Sequence, residues 1–99
     1  MWYAIMSEDV ESSLPNRSKA RPQHLARIEQ LLAEGRLMVA GPHPACDSPE
    51  PGKAGFTGSL VIADFPSLEA AQRWANDDPY NAAGVYRQMT VKPFIRVLP

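Results

Sequence analysis

The chain has 99 residues and a formal net charge of −1 at pH 7, with 10 Lys or Arg residues against 11 Asp or Glu. This near-neutral balance, and the lack of a basic stripe interleaved with aromatic residues, argue against nucleic acid as a partner. The length predicts one domain over residues 1–99, and no apolar run is long enough to cross a bilayer, so we expect no membrane partner either.

The first third of the chain predicts a strand, a loop and a long helix. Residues 2–6 are aromatic and aliphatic, which is typical of a short strand, and residues 8–17 are polar, which indicates a loop. From Ser18 the apolar residues recur with the period of a helix, and Gly35 is a typical C-terminal stop. Pro22 is tolerated in such a helix if it lies in or near the first turn.

One face of this first helix carries the aliphatic residues of the predicted core, Leu25, Ile28, Leu31 and Leu32. At about 100° per residue, His24 lies within the same arc. An imidazole there must find a buried polar partner or open into a cavity. A partly buried histidine with a carboxylate partner is a common general acid or base near neutral pH, although a hydrogen-bonded core histidine fits the pattern too.

Two further strands follow the helix. Leu37 to Gly41 predicts the second strand, which Pro42 should break, and Phe56 to Phe65 predicts the third. The third strand contains the continuous apolar run Leu60–Ala63. A run of this kind indicates a strand that is buried on both faces of its sheet.

The last third of the chain predicts a second helix and a fourth strand. Ser67 is a typical N-cap for a helix over Leu68–Asn76, and Asp78 can cap the short turn that follows it. Val85–Val97 contains β-branched and aromatic residues, which favour a strand. Pro93 within that segment indicates an edge position or a bulge.

The order of these elements is βαββαβ, which predicts an α+β, ferredoxin-like fold: an antiparallel four-stranded sheet with two helices on one face. Because the helices cover one face only, the apolar residues of the third strand that point the other way would form an exposed patch. We therefore expect a homodimer in which two sheets pack face to face.

The segment His43–Gly55 is rich in proline and has no periodic pattern, so it is either a binding element or a stiff surface connection. His43, Cys46 and Asp47 are metal-ligand types, but their spacing matches no structural zinc site and a fourth ligand is missing, so we expect no metal. The lone cysteine cannot form a disulfide within the chain, and the N-terminal segment lacks the positive region of a signal peptide. Both features favour the cytoplasm.

Several short motifs carry a resemblance to a known family: Arg21–Arg27, Gly35–Leu37 followed by Ala40–Pro42, Ala54–Ser59, Leu68–Ala71, Asp78–Tyr80 followed by Ala83–Tyr86, and Val91–Phe94. Together they resemble the YCII-related family over nearly the whole chain. That family is similar to muconolactone isomerase and to the dehydrochlorinase of chlorinated hydroquinone breakdown. The resemblance implies a dimeric α+β barrel with an active site centred on a histidine and an aspartate.

Transferred residue by residue, the resemblance assigns the catalytic histidine and aspartate to His24 and Asp78, and it makes Ser59 and Tyr80 candidates for substrate binding. Each has an alternative interpretation. Asp78 is also a good structural N-cap, Ser59 is also explained as a strand-end hydroxyl bonded to backbone, and Tyr80 is also explained by packing.

The expected chemistry follows from the pair. An aspartate bonded to one ring nitrogen fixes the tautomer and raises the basicity of the other, which then moves a proton. We therefore expect a general acid/base enzyme of isomerase, lyase or dehalogenase type acting on a small organic molecule. No nucleophile elbow, phosphate loop or redox motif is present, so we expect no cofactor. The competing interpretation is a non-catalytic accessory protein that binds a small molecule or a protein.

Overall fold

Four strands and three α-helices, with one turn of 3₁₀ helix at Gly52–Ala54, make up the computed structural model, which describes residues 1–99. In chain order they are β1 (Trp2–Asp9), α1 (Leu14–Ala33), β2 (Leu37–Pro44), β3 (Phe56–Asp64), α2 (Leu68–Asn76), the short α3 (Pro79–Ala82) and β4 (Tyr86–Phe94). The strands form one antiparallel sheet in the order β2-β3-β1-β4. The predicted α+β, ferredoxin-like arrangement is confirmed. No helix has the length and apolar character needed to cross a membrane.

The core lies between one face of the sheet and the helices α1 and α2. Because successive side chains of a strand point to opposite faces, alternate residues of β1 and β3 reach the helices. The cluster consists of Tyr3, Ile5, Val61, Ala63 and Phe65 from the strands and their ends, Ile28 and Leu31 from α1, and Ala71 and Ala75 from α2. As predicted, Ser67 caps α2, since its Oγ accepts a hydrogen bond from the N–H of Ala70 at 3.1 Å.

The predicted start of α1 at Ser18 is wrong, because the helix begins at Leu14. Pro22 therefore lies inside the helix and not in its first turn, which is occupied by Pro15. The missing N–H of Pro22 removes one hydrogen bond from the helix interior. The start of α1 is held by buried contacts to Asp9, which are described below.

The buried face of α1 is also displaced from the predicted one. Leu32 was expected in the core, but 62% of it is exposed, whereas only 2% of Leu31 is exposed. The residues that are buried recur at intervals of three or four: Arg17, Ala20, His24, Ile28 and Leu31. The stripe thus begins with an arginine, and Leu25, which was also expected in it, is only half-buried at its edge.

The strands differ from prediction mainly at their ends. The first strand continues to Asp9, and β4 ends at Phe94, short of the predicted Val97. The predicted break at Pro42 is wrong, since β2 continues to Pro44. It is an edge strand, and on the free side of an edge a missing N–H costs no sheet hydrogen bond. The expected edge position of Pro93 is confirmed, because β4 is the other edge.

No helix packs on the second face of the sheet. In the strand register Ala4 pairs with Ile62 and Met6 pairs with Leu60, which places these apolar residues together on that face. Of the run that was expected to be buried on both faces, only Leu60 is half-exposed. The open face is therefore apolar at its centre and partly accessible.

Gly58 marks a close approach of two strands. It pairs with Glu8, and a Cβ at this position would collide with the carbonyl oxygen of Ser7. Only glycine fits such a separation. The close packing also fixes the carbonyl oxygen of Gly58, which accepts a hydrogen bond from Arg17 at 2.9 Å.

Candidate active site

A cleft of about 330 Å³ lies between α1 and the β2–β3 edge of the sheet. Thirteen residues line it, seven of them hydrophobic, and none is Asp or Glu. His24, Ser59 and Tyr80 are among the lining residues, and Gly41 and Pro42 of β2 form part of the wall. The cleft thus brings together three of the four residues that the sequence singled out.

The fourth, Asp78, lies behind His24. The Nδ1 atom of His24 is 2.8 Å from Oδ1 and 3.0 Å from Oδ2 of Asp78, and both side chains are less than one-tenth exposed. The same Oδ1 accepts a hydrogen bond from the N–H of Tyr80 at 2.9 Å, which caps α3. Asp78 therefore both caps this short helix and bonds to the imidazole.

Tyr80 covers one face of the imidazole. The two rings are parallel within 3°, with centroids 3.8 Å apart. Only 2% of Tyr80 is exposed, and its ring also contacts Tyr86, edge to face, and lies 5.2 Å from the guanidinium of Arg17. Burial raises the pKa of Tyr80 above its usual value, and it raises the pKa of Tyr86 to about 12. Both phenols therefore keep their protons at neutral pH.

The second ring nitrogen of His24, Nε2, has no hydrogen-bond partner in the protein. An ionised carboxylate can only accept hydrogen bonds. Beside a neutral imidazole, Asp78 therefore selects the tautomer in which Nδ1 carries the proton and Nε2 has a lone pair. Among the side-chain nitrogen and oxygen atoms that are fully shielded from solvent, only Nη1 of Arg27 lacks a hydrogen-bond partner. Because Nε2 of His24 also lacks a partner, it is not one of the shielded atoms and is accessible. The arrangement is that of a base held at a cleft wall.

Sequence reasoning missed Arg17, because residues 8–17 were predicted to be a loop. Its Nε donates to Oδ2 of Asp9 at 2.6 Å and its Nη2 donates to Oδ1 at 3.1 Å, while Ser13 Oγ donates to the same carboxylate at 2.6 Å. Burial disfavours the charged form of Arg17, but the hydrogen bond and the negative charge of Asp9 outweigh this effect. The pKa of Arg17 is therefore raised above its usual value. The sequence does contain a signal for Arg17. It lies seven residues, or two helical turns, before His24, and this spacing places both residues on the same face of a helix.

Ser59 bonds to this network and not to backbone. Its Oγ accepts a hydrogen bond from Nη2 of Arg17 at 2.9 Å, so the strand-end alternative does not describe its contact. The segment His43–Gly55 does not line the cleft, and its His43, Cys46 and Asp47 form no group of three metal-ligating side chains. The residues of the candidate site thus come from α1, β3 and the α2–β4 connection.

Residues 1–95 match the YCII-related domain family. The chain is 60% identical over 97 residues to Protein YciI of Escherichia coli O6:H1, with 98% of this chain and 99% of that protein covered. It is 54% identical, with the same coverage, to an uncharacterized protein of Haemophilus influenzae.

The chain is also similar to a solved structure, 5-chloro-2-hydroxyhydroquinone dehydrochlorinase (TftG) from Burkholderia phenoliruptrix AC1100 in complex with 2,5-dihydroxybenzoquinone. The TM-score is 0.84 at 25% identity, and 97% of this chain and 95% of the other are covered. The likeness in fold therefore extends over nearly the whole chain.

Proposed function

The chain belongs to the YCII-related domain family, and on that premise we propose that residues 1–99 form one catalytic domain, a cofactor-independent enzyme that transfers a proton on a small organic substrate. One observation carries the proposal. A nearly buried imidazole, His24, has Nδ1 bonded to a buried carboxylate and Nε2 accessible at the wall of a cleft. This is the geometry that general acid/base catalysis requires.

In the proposed reaction, Nε2 of His24 accepts a proton from the bound substrate and returns it to another atom of the substrate or to solvent. Asp78 does not receive the proton. It holds the ring in the productive orientation and stabilises the imidazolium while the proton resides there. Ser59 and Tyr80 lie in the same cleft, and we propose that their hydroxyls bind the substrate.

The reaction type that we favour is an isomerisation or an elimination, including loss of a halide. A dehydrochlorination removes one proton and one chloride ion, and it needs a base but no external oxidant. Support comes from the likeness to a dehydrochlorinase at a TM-score of 0.84. The lining of the cleft, seven hydrophobic residues among thirteen, suits a small ring compound with a few polar groups.

The direct test is chloride release from 5-chloro-2-hydroxyhydroquinone. We expect release by the wild-type protein and a fall of about 100-fold or more in His24→Gln and in Asp78→Asn, since general acid/base catalysis contributes about 10²–10⁴ in rate. The matched controls are His43→Gln, the other histidine of the chain, and Asp77→Asn, the exposed neighbour of Asp78. Both controls should keep the wild-type rate.

A second readout covers the case in which this compound is not a substrate. Exchange of the ring hydrogens of 2,5-dihydroxybenzoquinone with deuterated solvent requires a base but no leaving group. Catalysed exchange that is lost in His24→Gln would support proton transfer without dehalogenation. Binding of the quinone, seen as quenching of tryptophan fluorescence, with neither chloride release nor exchange would refute the enzyme and favour the accessory binding protein.

We also propose that the chain acts as a homodimer in the cytoplasm. The dimer would bury the open apolar face of the sheet, where Met6 is 36% exposed and Leu60 is half-buried. In sedimentation experiments Met6→Glu should convert the dimer to monomer, whereas Leu32→Glu, on the exposed side of α1, should not. A monomeric wild-type protein would refute this part of the proposal. The cytoplasm is proposed because the single cysteine, Cys46, is free.

A further inference from the structure

Part of a buried guanidinium in the cleft has no acceptor in the protein. Arginine carries five N–H donors. In Arg17, Nε donates to Asp9, and Nη2 is surrounded by three acceptors: Oδ1 of Asp9, the carbonyl oxygen of Gly58 and Oγ of Ser59, the last two at 2.9 Å. The two N–H groups of Nη1 have no partner, although only 7% of the side chain is exposed.

Two observations place this nitrogen at the cleft. Nη1 of Arg17 is not fully shielded from solvent, because the only fully shielded side-chain nitrogen or oxygen without a partner is Nη1 of Arg27. Arg17 also lines the cleft together with His24 and Tyr80. Because Asp9 occupies the Nε and Nη2 edge of the planar group, Nη1 lies on the side away from that carboxylate.

The charges around the cleft favour a negative ligand. Two arginines, Arg17 and Arg21, line it, and no carboxylate does. Asp9 and Asp78 are turned to other partners, the guanidinium edge and Nδ1 of His24. Charged donors that already lie in a fixed, partly desolvated position bind an oxygen anion strongly, because they need no reorganisation when the charge arrives.

We propose that Nη1 of Arg17 binds an anionic oxygen of the ligand, so that the substrates of the cleft are small organic acids or phenols whose oxygen is, or becomes, negatively charged. The inference deepens the proposed function and rests on it for the identity of the cleft as the ligand site. Asp9, Gly58 and Ser59 hold the guanidinium in place, and Tyr80 lines the same cleft.

The test is a titration of the wild-type protein, labelled with ¹⁵N, with three probes: sodium benzoate, its neutral analogue benzamide, and 4-nitrophenolate. At least one of the anions should bind about tenfold or more tightly than benzamide and shift the Nε–H signal of Arg17. In Arg17→Lys the affinity for that anion should fall about tenfold while benzamide binding is unchanged. Arg87→Lys, remote from the cleft, is the matched control.

Equal binding of the anions and benzamide, no binding of either anion, or unchanged anion affinity in Arg17→Lys would overturn the inference. Binding of benzoate alone identifies a carboxylate as the recognised group, and binding of 4-nitrophenolate alone identifies a phenolate. If Arg17→Lys does not fold, the wild-type titration and the Arg17 signal still decide. The titration involves no turnover. Anion binding without proton transfer therefore refutes the proposed function alone, and proton transfer by His24 without anion binding refutes this inference alone.

Discussion

Replacing Asp78 with asparagine separates the two contacts of its carboxylate. Oδ1 accepts from the Tyr80 N–H and lies 2.8 Å from Nδ1 of His24, and Oδ2 lies 3.0 Å from the same ring nitrogen. Asparagine caps helices about as well as aspartate, so the contact to Tyr80 can persist. The amide has no charge, however, and where Oδ2 was it places an NH₂ donor opposite the Nδ1–H donor.

The structure sets the size of the effect. A hydrogen bond to a charged group contributes about 1.5–3 kcal/mol, and an N-cap contributes about 1 kcal/mol. We expect Asp78→Asn to lower the free energy of unfolding by about 2 kcal/mol and Asp78→Ala, which also loses the cap, by about 3 kcal/mol. Urea unfolding measures both, and Asp77→Asn should stay within about 0.5 kcal/mol of wild type.

The same variant has a spectroscopic readout. Long-range ¹H–¹⁵N NMR under mildly alkaline conditions should find the proton of the neutral His24 ring on Nδ1 in the wild type and distributed over both nitrogens in Asp78→Asn. A loss of less than about 0.5 kcal/mol together with an unchanged tautomer would refute the reasoning. Asp78 would then be a cap alone, and the proposed base would lack its orienting partner.

Three further predictions concern stability. Gly58→Ala should lower the free energy of unfolding by about 2 kcal/mol or more, as measured in urea, because the added Cβ collides with backbone. Gly41→Ala, with open space around the added Cβ, should lower it by less than about 0.5 kcal/mol. Equal losses in the two variants would contradict this prediction. Tyr86 has its pKa raised by burial from 10.0 to about 12, so the stability that its neutral form provides is complete below pH 10 and is lost as the pH rises through 12. Two pKa units correspond to about 3 kcal/mol, and Tyr86→Phe should flatten that part of the stability profile; an unchanged profile would refute the assignment. Leu31→Ala should cost about 2–5 kcal/mol and Leu32→Ala less than about 0.5 kcal/mol, as measured by the same method, and a costly Leu32→Ala would show that α1 is rotated from the position described.

The order of the elements was predictable because it depends on local signals. Alternation, helical period and the caps at Ser67 and Asp78 act over a few residues, and they specify a βαββαβ chain without knowledge of the tertiary contacts. The start of α1 was not predictable in this way. Residues 10–17 are mostly polar and contain Pro15, yet the helix begins at Leu14, where the buried carboxylate of Asp9 accepts hydrogen bonds from Ser13 and Arg17. That stabilisation exists only in the folded protein.

In the candidate site, too, the features with a local signal could be predicted and those that depend on tertiary packing could not. His24 could be found from the helical arc alone, and the carboxylate of Asp78 from its capping position, but their contact spans 54 residues of sequence and is a result of tertiary packing. Arg17 was missed because the helix was predicted to begin after it, and an arginine on a core face also contradicts the binary pattern. Such a violation is itself informative, because burying a charged side chain is costly and points to a role for that side chain in the folded protein.

The short α3 carries a consequence for how the chain can vary in length. The carboxylate that bonds the imidazole and the ring that stacks on it are two residues apart, at Asp78 and Tyr80, and the backbone N–H of the latter bonds back to the former. A single inserted or deleted residue between them would move one of the two away from His24. The mostly exposed connection over residues 45–54 has no such constraint, so length changes there should leave the imidazole undisturbed. From Asp78 to Tyr80, the spacing of the residues is as much a part of the site as their identity.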